Sequence, residues 1–76
     1  MAELLEYLAR QLVDEPEAVR VETAEEEDAI VLRLHVAEAD VGKVIGRQGR
    51  IARALRTVVR ASAARERRRV LLEIVD

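Results

Sequence analysis

The chain has 76 residues, half of them hydrophobic and 37% charged, with no cysteine, one aromatic side chain and a formal net charge of −2. That length leaves room for one modest core, and the balance is that of a folded domain rather than a disordered chain. Disulfides and thiolate metal sites are excluded. The Met-Ala-Glu start, soon followed by Glu6 and Arg10, reads as neither a secretory leader nor a membrane span, so a cytoplasmic location is the expectation.

The small net charge hides a polarised chain. Residues 1–40 carry twelve acids and three arginines, a net −9, whereas residues 41–76 carry ten bases and three acids, a net +7. A pI near 5.5 would argue against an anionic partner, but such a partner would meet the second half alone. Twelve of the thirteen bases are arginine and Lys43 is the only lysine, a ratio from which no function is read.

Leu4, Leu5, Leu8 and Leu12 recur at three- and four-residue spacing and predict an amphipathic helix over residues 2–13. Pro16 breaks it, and residues 14–17 read as a turn. Val19 and Val21 alternate with Arg20 and Glu22 in a short strand ending near Thr23, and Glu25 to Asp28 form an exposed acidic connection. Alternation resumes from Ala29 to Val36, with Ile30, Leu32, Leu34 and Val36 on one face, so the two strands form a hairpin.

Asp40 is placed to cap a short helix over residues 41–45, which Gly46 ends. A second helix is predicted over residues 50–65, burying Ile51, Leu55, Val58, Val59 and Ser62 or Ala63. Val70, Leu72 and Ile74 alternate through a closing strand. The order is helix, strand, strand, helix, helix, strand, and linking the last two strands through helices permits a parallel pair. One α+β domain spanning residues 1–76 is the expectation, with no linker or repeat.

The segment Val44-Ile45-Gly46-Arg47-Gln48-Gly49-Arg50-Ile51 is the strongest signal. It joins two helices by a four-residue loop with glycine at both ends, where the backbone can take angles other residues avoid and another backbone can approach. The loop precedes a helix N-terminus, whose free N–H groups and dipole favour anions. Arg47 and Arg50 add charge there, and Lys43 lies one turn before. Phosphates of a nucleic-acid strand are the ligand this chemistry suits.

The octapeptide resembles the KH signature: an aliphatic pair, a GxxG loop, and an isoleucine two residues later. Across the whole chain, the element order and the closing Leu72-Glu73-Ile74-Val75-Asp76 are similar to the type II KH fold of small single-domain bacterial KH proteins, the KhpA family. The resemblance implies a three-stranded sheet packed on three helices. It also implies a non-catalytic protein that grips single-stranded RNA, of a post-transcriptional or RNA-chaperone kind, without metal or cofactor. KH loops clamp about four backbone nucleotides while bases lie on an adjacent aliphatic groove. The clamp role passes to Gly46, Arg47, Gln48 and Gly49, and Val44, Ile45 and Ile51 form the groove or the core beneath it. Self-association, or pairing with a larger Jag-type (KhpB) RNA-binding protein, is implied as well. A protein-interaction module acting mainly through such dimers is the alternative reading.

Tyr7, the only aromatic, lies in the first helix, so base stacking of the kind RRM and OB folds use is not available. A P-loop is excluded because no serine or threonine follows Gly42-Lys43. Arg50, Arg53, Arg56 and Arg60 form a basic side of the second helix. Such a stripe is ordinarily a solvated face, but beside a phosphate-binding loop Arg53 joins the candidate contacts. Arg65, Arg67, Arg68 and Arg69 are placed at the helix end, where cations offset the dipole, with extended RNA contact as the alternative. His35 has no cysteine partners and Ser62 no evident base, so neither metal binding nor catalysis is indicated.

Overall fold

A computed structural model describes all 76 residues. The first helix, α1 (Ala2–Leu12), turns its Leu5 and Ala9 fully inward, with Leu4 and Leu8 half-buried beside them. Leu12 departs from the expected stripe and stays partly exposed at the surface. Val13 is extended, and Pro16 opens a single 3₁₀ turn that delivers the chain to the sheet.

Strands β1 (Arg20–Glu25) and β2 (Ala29–His35) form the expected antiparallel hairpin. β3 (Arg69–Val75) pairs parallel to β2, so β2 is central in the order β1-β2-β3. The helices cover one face. Val21, Leu34 and Ile74 share a row across it, as do Leu32 and Leu72, and the row of Ile30 and Val70 completes the set. These residues meet Leu5, Val44, Leu55 and Val59 in one core.

Two expectations about the hairpin change. β1 runs on to Glu25, two residues beyond Thr23, because Glu25 pairs with Ile30 in the ladder and Glu26 N–H bonds to Ala29 O at 2.8 Å. The acidic connection is therefore residues 26–28. Alternation in β2 also fails on the uncovered face, where Val31 is buried although it points away from the helices. A central strand has neighbours on both sides, and Val31 lies in register between Ala24 and Leu71.

Beyond the short helix α2 (Val41–Ile45) comes α3 (Arg50–Ser62), three residues shorter than the periodicity predicted. Ser62 turns its hydroxyl back onto Val59 O at 2.8 Å, and Ala63 leaves the helical region at φ −104°, ψ 22°. What draws the chain away is the sheet. Arg68 reaches Glu25 at 2.8 Å and the Glu26 carbonyl at 3.4 Å, and Arg69 N–H bonds to Asp28 O. The arginine cluster thus lies in the turn and at the start of β3, not on the last turn of α3. Ala52, Leu55 and Val59 form the inward side of α3, while Val58, expected inside, is 39% exposed.

Candidate nucleic-acid interface

The candidate site is built on α2, the Gly46–Gly49 loop and the start of α3. Val44 is completely buried and fastens α2 to the core, so it can act on a ligand only from beneath. Ile45 and Ile51, on either side of the loop, are half-buried and present apolar surface.

The two glycines serve different ends. Gly46 ends α2 with its N–H on Gly42 O at 2.9 Å, and sits at φ 76°, ψ 172°, where side chains are disfavoured. A Cβ there would also collide with the Ile51 side chain and stand 2.9 Å from the Ile51 backbone nitrogen, so the loop can fold back on α3 only without one. Gly49, at φ 75°, ψ 15°, donates its N–H to Gly46 O at 3.1 Å, but a Cβ there would meet nothing closer than an Arg53 nitrogen at 4.0 Å. Between them Gln48 is also left-handed at φ 57°, a conformation that costs a non-glycine residue about 1 kcal/mol. Such local strain gathers where a backbone has to be presented in one particular shape.

α2 is held from behind by a cluster the sequence pattern did not reveal. Asp40 makes no side-chain capping bond to α2, contrary to expectation. It is buried, and its two oxygens accept from the Glu15 backbone N–H at 3.0 Å and from Lys43 Nζ at 3.2 Å. Lys43 in turn reaches Asp14 at 3.1 Å. Burial pushes the Asp40 carboxyl up, but hydrogen bonds from the Glu15 and Asp14 backbone, with Lys43, outweigh it and leave its pKa below the ordinary value. The Asp14 and Asp40 carboxylates hold the Lys43 ammonium above its ordinary pKa. The ammonium, predicted as an RNA contact, is therefore engaged by two acids that tie the α1–β1 turn to α2. The i, i+3 spacing of Asp40 and Lys43 was the one available signal, and it says nothing of Asp14 or Glu15.

Elsewhere too the structure sorts the bases. Arg10, Arg20, Arg33, Lys43 and Arg68 each have a carboxylate within 4 Å. The other eight (Arg47, Arg50, Arg53, Arg56, Arg60, Arg65, Arg67 and Arg69) have none, and every one lies in or beyond the loop. Arg47 and Gln48 project from the loop into solvent, Arg50 opens α3, and the Arg53 guanidinium lies back toward Gly49. No acid occupies the first turn of α3. Cations crowd the positive end of a helix dipole, an arrangement that is unfavourable until an anion arrives.

Two concavities lie near this region. One, of about 530 Å³, is bordered by Glu38 and Asp76 along with His35, Val36, Val41 and Val75, so a phosphate would meet two carboxylates there. The other, of about 260 Å³, is an apolar groove between α1 and α3 lined by Leu8, Leu12, Ile51, Ala54, Leu55 and Val58.

A mixed three-stranded sheet covered by three helices, with a GxxG loop between the second and third, defines a KH domain. Residues 2–74 match the family described as "KhpA/KhpB, KH domain", and the chain belongs to that family. It is similar to proteins named "RNA-binding protein KhpA" from several bacteria. Identity is 52% with the Clostridium perfringens protein, over 99% of this chain and all of that one. With the Treponema pallidum protein it is 54%, over 97% of this chain and 92% of that one. With the Aquifex aeolicus protein it is 46%, over all of this chain and 96% of that one. No solved structure matches the chain.

Proposed function

We propose that the protein is a non-catalytic binder of single-stranded RNA, acting in the cytoplasm, with the Gly46–Gly49 loop as its backbone clamp. The observation that carries this reading is the collection of carboxylate-free arginines around a left-handed loop at the start of α3. Phosphates of a strand crossing the loop would take hydrogen bonds from the free N–H groups of the first turn and charge from Arg47, Arg50 and Arg53. Ile45 and Ile51 supply the apolar flank for bases, and Lys43 and Val44 hold α2 from behind. Nothing in these residues favours a ribose over a deoxyribose; the choice of RNA rests on the names of the relatives.

Fluorescence anisotropy with a labelled oligouridylate tests the reading, comparing the wild type with Arg47→Asp, Gln48→Asp. Both changes are exposed and spare the glycines, so circular dichroism should match. The expected loss is about ten- to a hundredfold in affinity, 1.4–2.8 kcal/mol, and the wild type should show a log-log salt slope near −3 for about four phosphates. Equal binding by the two proteins would remove the loop from the site. Absence of binding by the wild type in dilute salt would end the RNA reading.

One observation favours a second reading, association with another protein chain, either a second copy or a larger KhpB-type partner. The α1–α3 groove is apolar and open, with Leu12 37% and Val58 39% exposed on its rim. Light scattering of the wild type against Val58→Glu checks it: a dimer that the substitution splits supports the interaction surface, and a monomeric wild type removes self-association.

A further inference from the structure

α3 has two unlike flanks on either side of its buried Ala52, Leu55 and Val59. Ile51, Ala54 and Val58 lie toward α1. Arg53, Arg56 and Arg60, at three- and four-residue spacing, occupy the opposite side of the helix. Past the helix end the exposed Arg65 and Arg67 continue the positive charge, whereas Arg68 is taken by Glu25.

A basic stripe is most often a solvated face, and this chain shows what its own solvated faces look like. On α1, Arg10 pairs with Glu6 one turn away, and on the sheet Arg33 pairs with Glu73 and Arg20 with Glu22. α3 has no acidic residue among its thirteen. Arg53 and Arg56 stand at i, i+3 and Arg56 and Arg60 at i, i+4, spacings at which like charges oppose helix formation. The dipole favours Arg60 in the last turn, but gives nothing to Arg53 or Arg56, and Arg65 and Arg67 lie beyond the helix. The arrangement weakens the free protein and would be relieved by an anion running along the helix.

We infer that Arg56, Arg60, Arg65 and Arg67 form a phosphate track that continues the RNA path from the loop along α3, so that the footprint exceeds the loop's own few nucleotides. The inference rests on the RNA reading above and extends it. The track joins the loop without a break at Arg53, whose guanidinium lies toward Gly49. Twelve helical steps from Arg50 to Ser62 span about 18 Å, room for roughly three to five further nucleotides. The contacts are to phosphate and carry no base preference.

The test uses five- and ten-nucleotide oligouridylates against the wild type and the variant Arg56→Gln, Arg60→Gln, Arg65→Gln, Arg67→Gln. The wild type is expected to bind the ten-mer about fiftyfold or more tightly than the five-mer, with a salt slope steeper by roughly 2–3. The variant keeps the five-mer affinity, shows only the few-fold gain that extra registers provide, and loses the added slope. Its melting midpoint stays level or rises, because like-charge repulsion has been removed. Equal ten-mer affinity and slope in the two proteins would overturn the track, as would a marked fall in melting midpoint, which would make these arginines structural. Five-mer binding with no added slope for the ten-mer sinks the track but spares the clamp. Failure of the wild type to bind either length takes down the RNA reading itself.

Discussion

Lys43 and Arg47 are four residues apart on either side of the bend that ends α2, yet they have opposite fates. Lys43 is matched by Asp14 at the surface and by the buried Asp40, so its charge is engaged within the chain. Arg47 has no carboxylate within reach, and neither have Arg50 and Arg53 behind it. The same contrast divides the molecule at large: bases before the loop are neutralised by neighbours, and of those after it only Arg68 is. A charge with partners in the free protein contributes to the fold, and a charge without them is open to an anion. Substitutions around Lys43 should accordingly change stability, and substitutions around Arg47 should change binding.

Gly46 is where the two behaviours meet, and it should show the largest effect. Gly46→Ala forces a side chain into a left-handed position and against the Ile51 backbone. We expect a loss of about 3 kcal/mol or more in denaturant unfolding, a large share of the roughly 4–11 kcal/mol usual for a chain of this size, together with loss of RNA binding. Mild destabilisation with intact binding would show that the loop tolerates another path.

Next comes the cluster behind α2. Asp40→Asn and Lys43→Met should each lower the melting midpoint while leaving the salt slope of RNA binding unchanged; a shallower slope in Lys43→Met would restore Lys43 to the phosphate contacts. Because the folded Asp40 carboxyl titrates below its ordinary value of 3.8, the unfolded chain takes up the proton first as pH falls. Its contribution is therefore complete above that value and disappears as pH drops through the lower folded value. The acid side of the stability–pH curve should be flatter in Asp40→Asn than in the wild type.

Gly49→Ala isolates backbone angle from crowding, since a Cβ there meets only open space and the tip of Arg53. Its expected destabilisation is about 1 kcal/mol, well short of Gly46→Ala; equal effects would show that Ile51 yields easily. Smallest of all, Glu6→Gln removes a surface i, i+4 pair on α1 and should change stability by no more than about 0.5 kcal/mol with no change in RNA affinity.

The GxxG loop could be read from the chain because its signal is local: two glycines at fixed spacing between helical patterns, with arginines alongside. All six main elements were legible for the same reason, whereas their order only permitted the parallel pairing of the last strand, which the packed sheet supplies. Their ends were not. α3 stops at Ser62 because Arg68 and Arg69 are drawn to the hairpin, and no pattern within the helix records that pull. Val58 shows a further limit, since its helical spacing matched the core but no element covers it on the α1 side.

The amino-acid sequence by itself determined the order and type of the elements, the glycine loop and the gathering of arginine in the second half. Periods of 3.6 and 2 residues, turn glycines and local charge act over a few residues and need no knowledge of the rest of the chain. Tertiary structure alone decided which charges are neutralised. Asp40 meets the Glu15 amide across 25 positions and Arg68 meets Glu25 across 43. An ion pair or a buried hydrogen bond depends on distance in space, and distance in space is settled only when sheet and helices pack.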